Sequence, residues 1–190
     1  MKPRLLLHVC CGPCATEVLR RLADEYAVAG CFVNPNIAPG EEFLLRAVAA
    51  EKLAASWHVP MEVVPCAHEE FLAAAAGLEA EPEGGRRCVA CYRLRLAVAA
   101  DRAVAHGCTH LASTLTLGPK KPAAVINPLG EELARSRGLV FVGGDWKKQD
   151  GFRRSVAQAR ELGLYRQRYC GCEFSMPEDP GLTGGARPIR

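Results

Sequence analysis

The feature that most constrains how this chain can fold is an alternation of short apolar runs with longer segments of helical periodicity. Arg4–Val9 reads as a buried strand and Thr16–Glu25 as an amphipathic helix, and Val28–Val33 then leads through a Pro-flanked loop at 34–40 into a helix over Glu41–Ser56. Strand Met61–Val64 and helix Glu69–Ala76 come next. Beyond a turn-rich break at 81–85 the pattern predicts helix Cys88–His106, strand His110–Thr114, helix Ala123–Arg137, strand Leu139–Val142 and helix Asp150–Leu162. Strands and helices in this order build βαβ units, and hence a parallel sheet with helices on both faces. The expectation is an α/β, Rossmann-like layer sandwich forming a single domain over 1–176, with Pro177–Arg190 as a flexible tail. In such sheets the reactive site lies beyond the carboxyl ends of the strands. Here the first strand ends in Cys10-Cys11-Gly12-Pro13-Cys14.

A chain of 190 residues with 49% hydrophobic and 24% charged residues is that of a folded globular protein, which excludes a disordered one. No small-residue cleavage site follows the apolar run Leu5–Val9, and no stretch approaches the roughly 18 apolar residues of a membrane span. A cytoplasmic location with no membrane partner is therefore expected. Ten cysteines in a reducing compartment point to metal or thiol chemistry rather than a disulfide framework. Cys31, Cys66 and Cys108 stand alone and read as packed thiols. Residues 118–190 carry a net +5 and residues 1–117 a net −2. A basic half suits a polyanion, although solvated surface charges account for it equally well.

The other seven cysteines fall into three groups. Cys10, Cys11 and Cys14 sit where a strand feeds a helix, near the positive end of the helix dipole, which favours thiolate. Cys88 and Cys91 form a C-x-x-C at a helix start, with both thiols on one face. Cys170 and Cys172, separated by Gly171, can bind one centre or form a strained disulfide. Seven thiols exceed what one tetrahedral zinc needs, whereas three or four suit an iron–sulfur cluster and leave others for a second ion or a redox pair. Loops at strand ends meet at one edge of a parallel sheet, so the three groups are expected to converge there.

Several segments together resemble the QueH-type epoxyqueuosine reductases: Leu7-His8-Val9-Cys10-Cys11-Gly12-Pro13-Cys14, Asn34-Pro35-Asn36-Ile37, Arg87-Cys88 to Cys91-Tyr92 with Arg95-Leu96, Ser113-Thr114-Leu115, and Tyr165-Arg166-Gln167 to Cys170-Gly171-Cys172 with Phe174-Ser175. The resemblance runs from about Leu5 to Ser175. It implies a HUP-type Rossmann-like fold, a [4Fe-4S] cluster with an additional iron beside it, and no cobalamin. The implied reaction is the last step of queuosine synthesis, in which epoxyqueuosine at the wobble position of a tRNA anticodon loop loses its epoxide oxygen. Two electrons are expected from a low-potential donor such as a ferredoxin or flavodoxin.

Carried over by position, Cys10, Cys11, Cys88 and Cys91 hold the cofactor, while Cys14, Cys170 and Cys172 serve the chemistry. All seven become metal ligands or redox thiols; which of them hold the cluster and which the second ion stays open. Asn34, Asn36, Glu42, Arg46, Ser113, Thr114, Lys120, Tyr165 and Arg166 are the expected substrate residues. Lys121, Lys147, Lys148, Arg153, Arg154 and Arg168 are further candidates for phosphate contacts, with Tyr92 and Tyr169 for base stacking. His8 reads as a packed strand residue. The chain departs from the family pattern at Cys14, where some members have Asp, at Phe43, where Tyr is expected, and at Gly118, where Ser commonly precedes the proline. Two other readings stand beside this one. An ATP-using tRNA-modifying enzyme would need a glycine-rich phosphate loop where the first cysteines lie, and a zinc-stabilised, non-catalytic tRNA-binding module would be colourless.

Overall fold

The computed structural model describes residues 1–176, so the expected flexible tail from Pro177 to Arg190 lies outside the described residues. In chain order the elements are β1 (Arg4–His8), α1 (Gly12–Leu22), β2 (Ala27–Phe32), α2 (Gly40–Ser56), β3 (Met61–Val63), α3 (His68–Ala75), α4 (Arg86–Ala105), β4 (His110–Ser113), α5 (Ala123–Arg135), β5 (Val140–Val142) and α6 (Gly151–Glu161). The five strands form one sheet in the order β3-β2-β1-β4-β5, and every neighbouring pair is parallel.

Central strand β1 shows why the sheet is covered on both sides. Leu5, Leu7 and Val9 pack with Val18, Leu19, Ala50, Leu53 and Ala159, which come from α1, α2 and α6. Leu6 points the other way, into Cys31, Leu111, Ala99, Ala100, Ala103 and Ala134, where α4 and α5 lie. A strand buried on both faces is apolar at successive positions, as Leu5, Leu6 and Leu7 are. Cys31 and Cys108 belong to this second core and Cys66 borders it, so all three pack as small hydrophobes. Among the described residues no helix is long and apolar enough to cross a membrane.

The chain crosses to one side of β1 for β2 and β3, then returns to its other side for β4 and β5. The helices after β1 and β4 therefore leave in different directions, and a crevice opens beyond the ends of these two strands. His8 and Ser113 are partners in register at that end. Helix α1 starts at Gly12, earlier than its periodicity suggests. Cys11 caps it by accepting the Cys14 N–H on Sγ at 3.4 Å, and Pro13 occupies the first turn. A Cβ at Gly12 would stand 2.7 Å from the Ala49 carbonyl oxygen, so glycine lets α1 cross α2 closely. Cys14 thus lies inside the first helical turn.

Candidate metal centre

Three of the seven thiols form a compact set. The ligand atoms of Cys10, Cys11 and Cys14 lie within 4.8 Å of one another. Hydrogen bonds from Cys11 and Cys14, helped by Arg95 and Thr114, hold Cys10 well below the usual thiol range. Burial pushes Cys11 up to about 12, and hydrogen bonds to Cys10 and Cys11 push Cys14 up. Without a metal, the trio therefore concentrates its negative charge on Cys10. A thiophilic cation displaces the remaining protons and gains three soft ligands at once.

Donors from separate parts of the chain meet these sulfurs. Thr114, just past β4, donates its hydroxyl to Cys10 Sγ at 3.1 Å. Gln167 donates Nε2–H to Cys11 Sγ at 3.1 Å. Lys121 Nζ lies 2.8 Å from Cys170 Sγ and 5.5 Å from the centre of the Tyr92 ring. Burial opposes the Lys121 charge, but the neighbouring Cys170 outweighs it and keeps the ammonium protonated above its ordinary range. Cys88 Sγ accepts the Gly84 N–H at 3.2 Å. Burial pushes Cys91 up to about 11 and also raises Cys172.

The three groups approach without fusing. Cys170 lines the same cavity of about 320 Å³ as Cys10 and Cys14. Cys88 packs in a cluster that touches Cys10, and Cys91 packs with Cys172 on another side, beside Phe71 and Phe174. All seven thiols are free, Cys170 and Cys172 included.

Of the nine expected substrate residues, Arg46, Lys120 and Arg166 line this cavity. His8 is buried, with Nε2 3.2 Å from the Val33 carbonyl and Nδ1 2.9 Å from Ser113 Oγ. A carbonyl only accepts, so the proton sits on Nε2 and Ser113 donates to Nδ1. Burial and the nearby Arg95 lower the His8 pKa to about 3, which keeps the ring neutral. Asn34 donates to the Val9 carbonyl at 3.0 Å and accepts from Arg95. Asn36 is buried beside Gly171 with its Oδ1 unpartnered.

Glu42 and Arg46 anchor the third cysteine loop. Arg46 pairs with Glu42 at 2.7 Å and donates to the carbonyls of Cys170 at 2.9 Å and Tyr169 at 3.1 Å, while Tyr165 donates to Glu42 at 2.6 Å. Gly171 has φ 136°, and a Cβ there would meet Asn36 at 3.0 Å and Arg46 at 3.1 Å. Glycine in the Cys-Gly-Cys segment thus answers both a backbone and a space requirement.

The cavity lining gathers Arg46, Arg95, Lys120, Lys121, Arg166 and Arg168 against Glu83 alone, together with Tyr169. Lys120 pairs with Glu83 at 2.8 Å, and Arg166 lies over the Phe152 ring. Other expected phosphate contacts serve the fold. Arg154 pairs with buried Glu17 at 2.8 Å, and Lys147 holds the Thr116 and Lys121 carbonyls. Lys148 and Arg153 stay at the surface beside Asp145 and Asp150. Tyr92 is 1% exposed under Lys121 and is closed to a base.

Residues 5–178 match the family model described as epoxyqueuosine reductase QueH. The epoxyqueuosine reductase QueH of Staphylococcus epidermidis is 36% identical over 182 residues, covering 92% of this chain and 76% of that one. Its Streptococcus pyogenes namesake is 35% identical, covering 92% and 71%. The chain belongs to the epoxyqueuosine reductase QueH family. A Thermotoga maritima QueH is 30% identical, with 92% of this chain and 91% of that one aligned. Two solved structures share the fold of this QueH family member. The U34-tRNA thiolase NcsA from Methanococcus maripaludis with its [4Fe-4S] cluster gives a TM-score of 0.58 at 17% identity over 93% of this chain and 63% of that one. A predicted subunit of tRNA methyltransferase from Methanocaldococcus jannaschii gives 0.52 at 15% identity over 80% and 75%.

Two departures from the QueH pattern have local explanations. Phe43 packs edge-on to Phe32 at 5.2 Å, a contact that needs no hydroxyl. A side chain at Gly118 would stand 2.8 Å from Lys121 Cγ and push the ammonium that faces Cys170. Gln167, Lys121 and Arg95 face the sulfurs, although the sequence pattern marks none of them as a sulfur partner. The one available signal was Arg95 standing four residues after Cys91, on the same helix face.

Proposed function

We propose that this protein is a cytoplasmic, cobalamin-independent epoxyqueuosine reductase that acts on tRNA and holds a [4Fe-4S] cluster with an additional iron. The observation that supports this most is the single cavity in which Cys10, Cys14 and Cys170 lie beneath a basic rim. The donor set fits. A [4Fe-4S] cluster takes about four thiolates; Cys10, Cys11 and Cys14 supply three within reach of one another. Cys170 shares the cavity, with Cys88, Cys91 and Cys172 behind, which leaves soft ligands for a fourth position and for a second iron. Such a centre, when bound, relays electrons singly and offers a Lewis-acidic iron to the epoxide oxygen.

The chain's own residues do the binding and the shielding. Lys120, Arg166 and Arg168 at the rim attract phosphates, and the half-buried Tyr169 offers a ring beside the opening. A cavity of about 320 Å³ is on the scale of a small-molecule site and not of a duplex. Each turnover needs two electrons and two protons, and the epoxide oxygen leaves as water. The electrons come from a low-potential donor of the ferredoxin or flavodoxin class.

Anaerobic purification with iron and sulfide quantitation, followed by dithionite-driven turnover of epoxyqueuosine tRNA and nucleoside mass analysis, tests this reading. The expected result is a brown protein with more iron than one cubane requires, and queuosine as product. A colourless protein with stoichiometric zinc after anaerobic reconstitution overturns it and favours the zinc-stabilised tRNA-binding module.

A further inference from the structure

Arg95, on α4, is 3% exposed, yet among the described residues no carboxylate pairs with it. Its Nη2 donates to the neutral amide of Asn34, and its Nε is buried with no partner. The other two buried arginines of the region have fuller sets of partners, although the Arg87 Nε is likewise buried without one. Arg46 has Glu42 at 2.7 Å, and Arg87 donates to the carbonyls of Leu78, Glu79 and Glu81. A guanidinium keeps its proton in proteins, and a buried charge without a counter-charge is strongly unfavourable. The groups in reach that can carry a negative charge are sulfurs. Arg95 stands one helical turn from Cys91 on α4 and lines the cavity with Cys10 and Cys170. Its charge acts on those same three thiols, one from each cysteine group.

We propose that Arg95 is a positioning residue that supplies the buried counter-charge of the thiol-bound centre and raises its reduction potential. This rests on the iron–sulfur reading above. On reduction the centre takes one electron from a one-electron donor; no bond forms or breaks, and its charge becomes one unit more negative. A fixed buried cation stabilises the reduced form more than the oxidised form, so removing it makes reduction harder. The same cation offsets repulsion among thiolates brought in by three separate segments.

The test is a dithionite redox titration followed by electron paramagnetic resonance on the anaerobically reconstituted wild type, Arg95→Lys, Arg95→Met and Asn34→Asp, with iron and sulfide counted per chain. Arg95→Lys keeps the charge and is expected to stay near the wild-type midpoint. Arg95→Met is expected to shift the midpoint to more negative potential. Asn34→Asp sets a carboxylate against Arg95, at the cost of the bond that Asn34 donates to the Val9 carbonyl, and is expected to shift it the same way, which keeps the proposal testable where Arg95→Met fails to fold or assemble. A wild-type cluster whose midpoint is unmoved in Asn34→Asp and in any Arg95→Met that assembles overturns the Arg95 role alone. A wild type that assembles no cluster overturns the iron–sulfur reading and this proposal with it.

Discussion

Thr114 Oγ1 accepts the backbone N–H of Cys10 at 3.0 Å and donates its own proton to Cys10 Sγ at 3.1 Å. One hydroxyl at the end of β4 thus fixes both the main chain and the sulfur at the end of β1. Replacing it by valine keeps the shape and removes both bonds. Thr114→Val is expected to lose about 1 to 3 kcal/mol by leaving a buried N–H unpaired, while Thr114→Ser recovers most of it. Urea unfolding of the two variants checks this, and equal midpoints would contradict it.

The ten cysteines divide by what surrounds them, which gives a prediction about metal content. Cys31→Ala and Cys108→Ala remove core atoms only and are expected to cost about 1 to 2 kcal/mol while leaving iron and sulfide per chain unchanged. Serine at Cys10, Cys11 or Cys14 is expected to abolish cluster assembly with little change in the far-ultraviolet circular dichroism. Iron loss in Cys31→Ala would mean that the core thiol has been misread.

Gly171 adopts a backbone conformation that side chains rarely take, and any Cβ would press on Asn36 and Arg46. Gly171→Ala is expected to cost about 1 to 3 kcal/mol. It should also loosen the 165–172 segment from Arg46. Limited proteolysis should then cut within that segment in the variant before it does so in the wild type.

Glu17 is fully buried and meets Arg21 at 2.7 Å, Arg154 at 2.8 Å and Arg20 at 2.9 Å, joining α1 to α6. Burial pushes its carboxyl up, but the hydrogen bonds from these arginines prevail and hold it well below its ordinary 4.5. Because the folded pKa lies below the unfolded one, the stabilisation is fully present above pH 4.5 and fades as pH falls toward the folded value. Glu17→Gln is expected to lose about 3 kcal/mol at neutral pH, and the gap between the two proteins should narrow as the medium is acidified below pH 4.5. Thermal melts across that range measure it; a constant gap would count against the network.

Local pattern was enough to reveal the architecture and the placing of the first thiols. The β1 run, apolar at successive positions, dictates a strand buried on both faces, and the Cys-Cys-Gly-Pro-Cys turn after it places thiols at a strand end, because periodicity and turn chemistry act over a few residues. The start of α1 was harder to read, since a cysteine acting as N-cap leaves no compositional mark. Tertiary structure alone decided which groups face which sulfur. Gln167 reaches Cys11 across 156 residues and Thr114 reaches Cys10 across 104. It also turned Glu42 and Arg46 into anchors of the last cysteine loop, committed Arg154 to Glu17, and left Arg95 among thiols with no carboxylate partner among the described residues. Such pairings depend on where the strand order reverses and on how charges are balanced in a buried space. Both are properties of the packed sheet, and no short stretch of sequence encodes them.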